Sequence, residues 1–227
     1  MKKVKATYEI LTHISEGGIE ELKHIERIGR VCYKSEDKIA EDGESAKKFV
    51  NMLIKAGHEA MIEHSTLSVM FTVDRGVSHE LVRHRIASFA QESTRYCNYA
   101  KDKFGSECAF IDIRDGIEYD SKMKKMTADQ LMYCIQEWED AMRDAEKHYM
   151  KMLQYGATPQ IARGVLPNSV KTNITLTANY REWRNFFKLR VPATAHPQMR
   201  EITIPLLKEL KEKLPIIFDD IEVIENE

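Results

Sequence analysis

The chain has 227 residues, 43% hydrophobic and 31% charged, with 34 Lys+Arg against 36 Asp+Glu for a net charge of −2. That length hides enough surface to fold without a metal or disulfide framework, and the composition excludes disordered, collagen-like and low-complexity classes. The near-neutral balance offers no global field to nucleic acid or an anionic membrane. Ten glycines include no GxG spacing and no GK[ST], so both common glycine-built phosphate cradles are absent.

In chain order, residues 3–12 alternate partly and predict a strand. Ile19, Leu22, Ile25 and Ile28 set a helical period for 21–33, and Phe49, Met52 and Leu53 set another for 44–56. Residues 66–73 are β-rich and read as a buried strand. A short helix after Gly76 leads into 83–99. Thr127 and Gln130 form a capping-box pattern that opens a long helix to Tyr155, closed by Gly156. Thr158 and Pro159 start a short helix, and 170–177 is a strand with alternating threonines. Asn179 with Glu182 starts a helix ending near Arg190, and Pro197 and Pro205 flank a last helical region. Interleaved strands and helices predict an α+β (mixed α/β) fold, one domain over 1–227 with a central sheet flanked by helices.

Apolar runs stay far below the ~20 residues of a membrane span, and the basic start is followed by no apolar stretch of signal-peptide length. Cys32, Cys97, Cys108 and Cys134 are scattered singly, which fits a reducing, cytoplasmic setting. His58-Glu59 and His79-Glu80 each begin a HExxH pattern, but Ile62 and Arg83 stand where the second ligand belongs, so no metal site is expected. No GxSxG elbow occurs. Cys97, beside Tyr96 and Tyr99, reads as a small apolar filler.

The neutral total is an average. Residues 83–103 carry a local +3, residues 158–200 a local +6, and residues 201–227 a local −5. The densest polar stretch is 83–96, beginning Arg83-His84-Arg85. If helical, these three side chains fan over three directions. Arginine's fork binds phosphate and carbonyl pairs, and Ser93 and Thr94 add hydroxyls suited to a phosphate. From the residues alone this is either an anion or nucleotide site or a structural ion-pair network.

Arg83-His84-Arg85, seven residues, then Ser93 resembles the signature of the flavin-dependent thymidylate synthases. Gly57-His58-Glu59 with Glu63-His64 looks like that family's upstream block. Residues 162–167 and Asn179-Tyr180-Arg181 with Asn185, Leu189 and Arg190 look like its later blocks, in order. The resemblance implies conversion of dUMP to dTMP, with methylenetetrahydrofolate as carbon donor, FAD as redox carrier and NADPH as reductant, in a homotetramer whose sites form between subunits. It implies FAD contacts from Arg83, His84, Arg85, Gln91, Asn179, Arg181 and Asn185. It places Glu80, Arg83, Gln91, Glu92, Ser93, Thr94, Arg95 and Arg163 along dUMP, with Ser93, Arg95 and Arg163 at the phosphate. Arg190 would face the uracil ring as the catalytic residue, and no covalent protein nucleophile is required.

The helical spacing agrees with that division. Arg181 and Asn185, four apart, share a face, whereas Arg190 is nine residues from Arg181 and half a turn round. Asn179 is also a good N-cap, Arg190 a good partner for the helix C-terminus, and Trp183, Phe186 and Phe187 read as core. An arginine-rich nucleic-acid-binding module, with Tyr96 and Tyr99 as stacking platforms, is the competing class. The net charge and the acidic tail weigh against it.

Overall fold

A computed structural model describes residues 1–101 and 105–223. Asp102 and Lys103 of the basic segment, and the last four residues of the acidic tail, lie outside the described residues. Two strands come first, β1 (Lys2–Val4) and β2 (Thr7–Ile10), then helices α1 (Ile19–Tyr33) and α2 (Glu44–Lys55). A 3-10 turn (Glu59–His64) leads into β3 (Thr66–Asp74) and α3 (Arg75–Leu81). Next come β4 (Ala87–Gln91), β5 (Ala109–Ile111), α4 (Arg114–Ile117), α5 (Ala128–Gln154) and α6 (Pro159–Ala162). β6 (Lys171–Asn179), α7 (Tyr180–Arg190), α8 (Pro197–Lys213) and α9 (Pro215–Phe218) complete the described chain.

The main sheet is antiparallel, in the order β2-β3-β6-β4. Leu67, Val69, Phe71 and Val73 of β3 and Ile174, Leu176 and Ala178 of β6 point into one core with residues of α1, α2, α7, α8 and α9. The opposite face carries hydroxyls and amides, including Ser68 to Thr177 at 2.8 Å and Thr72 to Asn173 at 3.0 Å, and is half-buried. Period-2 alternation put the apolar side chains, apart from Met70 and Ala90, on one face, so the sheet is covered by helices on that face rather than flanked on both. β1 pairs in parallel with β5 in a separate two-stranded sheet, and a second apolar cluster joins Phe110 to Met142 and Tyr149 of α5.

Three expectations change. Residues 3–12 form two strands in different sheets, Val4 opposite Ile111 and Thr7 opposite Thr72. Alternation shows that a stretch is extended, but not which strand it meets. Pro205 lies inside α8, because burial of Ile202, Ile204, Leu206 and Leu207 holds the helix through the hydrogen bond that proline cannot donate. Residues 83–86 are a turn leading into β4, not a helix, since β4 pairs with β6 from Ala87 opposite Ala178 to Gln91 opposite Ile174. The local helix signals hold. Thr127 and Gln130 make both capping-box bonds, at 3.3 and 2.9 Å, and Gly156 ends the helix at φ 92°.

Candidate active site

The turn after α3 determines how the Arg83-His84-Arg85 triplet is spent. The Asp74 carboxylate caps α3 through the Val77 N–H at 2.6 Å, and the His84 N–H closes the turn on the Leu81 carbonyl at 3.2 Å. His84 is thereby buried while Arg83 and Arg85 point outward. The His84 ring lies edge-on to Phe186, with centroids 4.9 Å apart. Its Nδ1 faces the Glu182 carboxylate at 2.9 Å, and its Nε2 accepts from the Arg190 Nε–H at 3.0 Å. A carboxylate only accepts and a guanidinium only donates, so the ring is neutral with its proton on Nδ1. Burial, followed by the Arg190 charge, pushes the His84 pKa below its ordinary value, against the opposing Glu182 contact.

At the Ala87 end of β4 lies a hollow of about 490 Å³ lined by Glu59, Glu63, Ile86, Asn179, Arg181, Glu182, Asn185 and Lys188. Asn179 spends its Oδ1 on the α7 cap, accepting the Glu182 N–H at 2.8 Å. Its amide N–H groups donate to none of the described residues. Arg181 is exposed and pairs with Glu63 at 2.5 Å. Arg184, 2% exposed, is tied to Glu59 and to Asp220, and so anchors the wall of this hollow to the segment after α9.

The Gln91 end of β4 carries different chemistry. Gln91 turns inward and donates to Ser78 at 2.9 Å. The Glu92 carboxylate accepts from Tyr99 at 3.1 Å and Lys171 at 2.8 Å. Thr94 is buried and takes a hydrogen bond from Arg163 at 3.0 Å, while Ser93 opens the exposed turn that carries Arg95. Arg83, Arg85, Arg95 and Arg163 are all exposed and form no ion pair with the described residues. Arg95 and Arg163 stand at the serine turn, where guanidinium groups are suited to a phosphate, while Arg83 and Arg85 emerge at the other end of β4.

Residues 18–216 match the family model described as thymidylate synthase complementing protein. A flavin-dependent thymidylate synthase from Corynebacterium aurimucosum is 34% identical over 215 residues, covering 92% of this chain and 84% of that protein. The enzyme of the same name from Mycolicibacterium vanbaalenii is 32% identical over 213 residues, covering 88% and 79%. This chain belongs to the flavin-dependent thymidylate synthases. Its fold is also that of a UMP/dUMP methylase, PolB from Streptomyces cacaoi, solved with 5-Br dUMP bound. The TM-score is 0.76 at 22% identity, over 96% of each chain.

Within this flavin-dependent thymidylate synthase, the signature residues divide between two places. Asn179, Arg181 and Asn185 gather at the first hollow. Gln91, Glu92, Ser93, Thr94, Arg95 and Arg163 gather at the far end of β4, roughly 13 Å away at the usual rise per strand residue. Glu80 lies on α3 and pairs with Arg190 at 2.8 Å. His84 is enclosed, with both ring nitrogens spent within the chain, so only its backbone is left to meet a cofactor. Glu182 and Arg184 were absent from the sequence-derived site. Glu182 reads locally as a helix-start acid, and its 98-residue separation from His84 leaves no local signal.

Proposed function

We propose that this chain converts dUMP to dTMP, taking its carbon from methylenetetrahydrofolate and its reducing equivalents from NADPH, with FAD as the redox carrier. The observation that carries this reading is the placement of exposed arginines that form no ion pair with the described residues, Arg95 and Arg163 with Ser93 at one end of β4 and Arg83 and Arg85 at the other, at the positions the signature implies for anion contacts. The donor set fits the flavin. Asn179, Arg181 and Asn185 present amide and guanidinium N–H groups at one hollow, and Arg83 and Arg85 emerge beside Ile86 of its wall. FAD, when bound, supplies the hydride chemistry that the twenty side-chain types lack.

The chain's own residues supply position and charge. Ser93, Arg95 and Arg163 hold the dUMP phosphate, while Glu92 and Thr94 shape the turn beneath it. Glu80 lies toward the ribose side, since an acid repels phosphate. Arg190 donates to the O2/N3 edge of uracil, stabilises negative charge there and directs electron density toward C5, where the new carbon–carbon bond forms. No side chain needs to add covalently to the ring.

The protein acts as one domain over 1–227, in the cytoplasm, as a homotetramer. The two groups of signature residues at opposite ends of β4 favour sites completed by neighbouring subunits. So do Val82, Ile86 and Leu189, which are exposed beside the signature arginines and Arg190. Among the described residues no helix is long and apolar enough to cross a membrane.

The test is direct. The purified protein should carry yellow flavin and form dTMP from dUMP only when methylenetetrahydrofolate and NADPH are both supplied. A colourless protein that takes up no FAD at micromolar concentration would falsify the reading.

A further inference from the structure

Glu182 has no part in the chemistry above, yet it joins the flavin-side hollow to His84 and, through His84, to Arg190. It is buried at the start of α7 and forms part of the wall of the flavin-side hollow. Its backbone N–H is taken by Asn179 at 2.8 Å, and the Asn185 amide lies 3.3 Å from both carboxylate oxygens. The same carboxylate receives the His84 Nδ1–H at 2.9 Å, and the opposite ring nitrogen receives Arg190 at 3.0 Å.

We propose that Glu182 is a positioning residue: it fixes His84 in the Nδ1–H form, and His84 in turn holds the Arg190 guanidinium at the substrate. The inference rests on the function proposed above and extends it to a residue with no contact to the reacting atoms.

The physical reason is the inventory of the imidazole. A neutral ring has one donor and one acceptor. Glu182 requires the donor on its side, which leaves Nε2 bare for the Arg190 Nε–H. A ring protonated on both nitrogens, or carrying its single proton on Nε2, sets one N–H against another and releases Arg190 from that anchor. The charged groups facing the ring are Glu182 and Arg190 of α7, with Glu80 of α3 reaching it only through Arg190. Burial and the Arg190 charge favour the neutral ring, and Glu182 favours the protonated one. Removing the Glu182 charge while keeping an acceptor therefore lowers the His84 pKa further, whereas removing the acceptor loosens the ring.

The experiment compares full-length wild type, Glu182→Gln and Glu182→Ala at saturating FAD, reading kcat and the dUMP KM from about pH 5.5 to 9. In Glu182→Gln the acidic limb of kcat is expected to move toward lower pH by at least about half a unit. In Glu182→Ala kcat at alkaline pH is expected to fall about tenfold, with the dUMP KM changed less than about threefold. A role confined to folding moves neither the limb nor the split between kcat and KM. An unshifted limb in Glu182→Gln overturns the proposal. If that variant does not fold, Glu182→Asp decides: it keeps the charge but shortens the reach, and wild-type kcat in it overturns the proposal. A wild-type protein that forms no dTMP defeats the functional reading and this inference with it. An active wild type with an unshifted limb in the glutamine variant defeats this inference alone.

Discussion

The Glu80 carboxylate lies 2.8 Å from Nη1 of Arg190, and the backbone carbonyl of Glu80 accepts from Nη2 at 3.2 Å. With Nε donated to His84, three of the five guanidinium N–H groups are spent inside the chain. One N–H remains on each Nη to donate to acceptors on a ring edge. The fork is thus fixed by α3 and the turn after it before any substrate arrives, which is the preorganisation that electrostatic stabilisation needs.

Replacing Arg190 with lysine keeps a charge but removes Nε and the fork. We expect NADPH-dependent release of hydrogen from C5 of dUMP to fall on the order of 10²- to 10³-fold, while FAD stays bound. Hydrogen release at the wild-type rate in Arg190→Lys or Arg190→Ala would remove Arg190 from the catalytic role.

At the other end of β4, Arg95→Ala and Arg163→Ala each delete a charge-assisted contact to the substrate phosphate. The dUMP KM is expected to rise about tenfold or more in each, corresponding to ~1.5–3 kcal/mol for a hydrogen bond to a charged group. Steady-state kinetics with dUMP varied, alongside the flavin absorbance, checks this. Unchanged KM in both variants places the phosphate elsewhere.

Glu201 on α8 lies against α4, where Gly116 permits the approach: a Cβ there would stand 2.7 Å from Gln198 Cγ and 3.1 Å from Glu201 Oε2. Neither carboxylate oxygen has a hydrogen-bond partner among the described residues. Burial first, then the charges of Asp115, Asp74 and Asp112, push its pKa up to about 8. A folded pKa above the ordinary value means stability fully present below about pH 4.5 and lost progressively as the pH rises toward 8. Glu201→Gln removes that loss and should stabilise the protein by on the order of 3 kcal/mol near pH 8 and little near pH 4.5. Unfolding midpoints measured across that range decide it, and a gap independent of pH contradicts the assignment.

Arg184, 2% exposed, holds Asp220 through two bonds at 2.6 and 2.7 Å and pins the segment after α9 to α7. The Arg184 contact lowers the Asp220 pKa, so this stabilisation is present above its ordinary value and lost as the pH falls through the depressed one. Asp220→Asn leaves a buried guanidinium short of its anion. Because Asp220 is half in solvent, the expected cost is ~1–2 kcal/mol at neutral pH rather than the full penalty of a buried pair. Denaturant titration should show that difference shrinking under acid conditions.

Much of this was legible along the chain. The caps at Thr127 and Asn179 read correctly because a cap is a contact over three residues, visible in local spacing. The split of α7 into a face bearing Arg181 and Asn185 and a direction bearing Arg190 followed from 100° per residue. The course of 83–91 was not legible. Ala87-Ser88-Phe89-Ala90-Gln91 alternates weakly, and its strand exists because β6 offers an open edge.

The sequence by itself determined the family signature, the helix starts, the one apolar face of β3 and β6, and the lack of a glycine cradle, all properties of neighbours along the chain. Only the tertiary structure decided that the central residue of Arg83-His84-Arg85 turns inward between Glu182 and Arg190, and that two groups of signature residues stand at opposite ends of β4. The His84–Glu182 and His84–Arg190 contacts join residues 98 and 106 positions apart. Their geometry is set by how α7 packs over the turn after α3, and no local spacing records it.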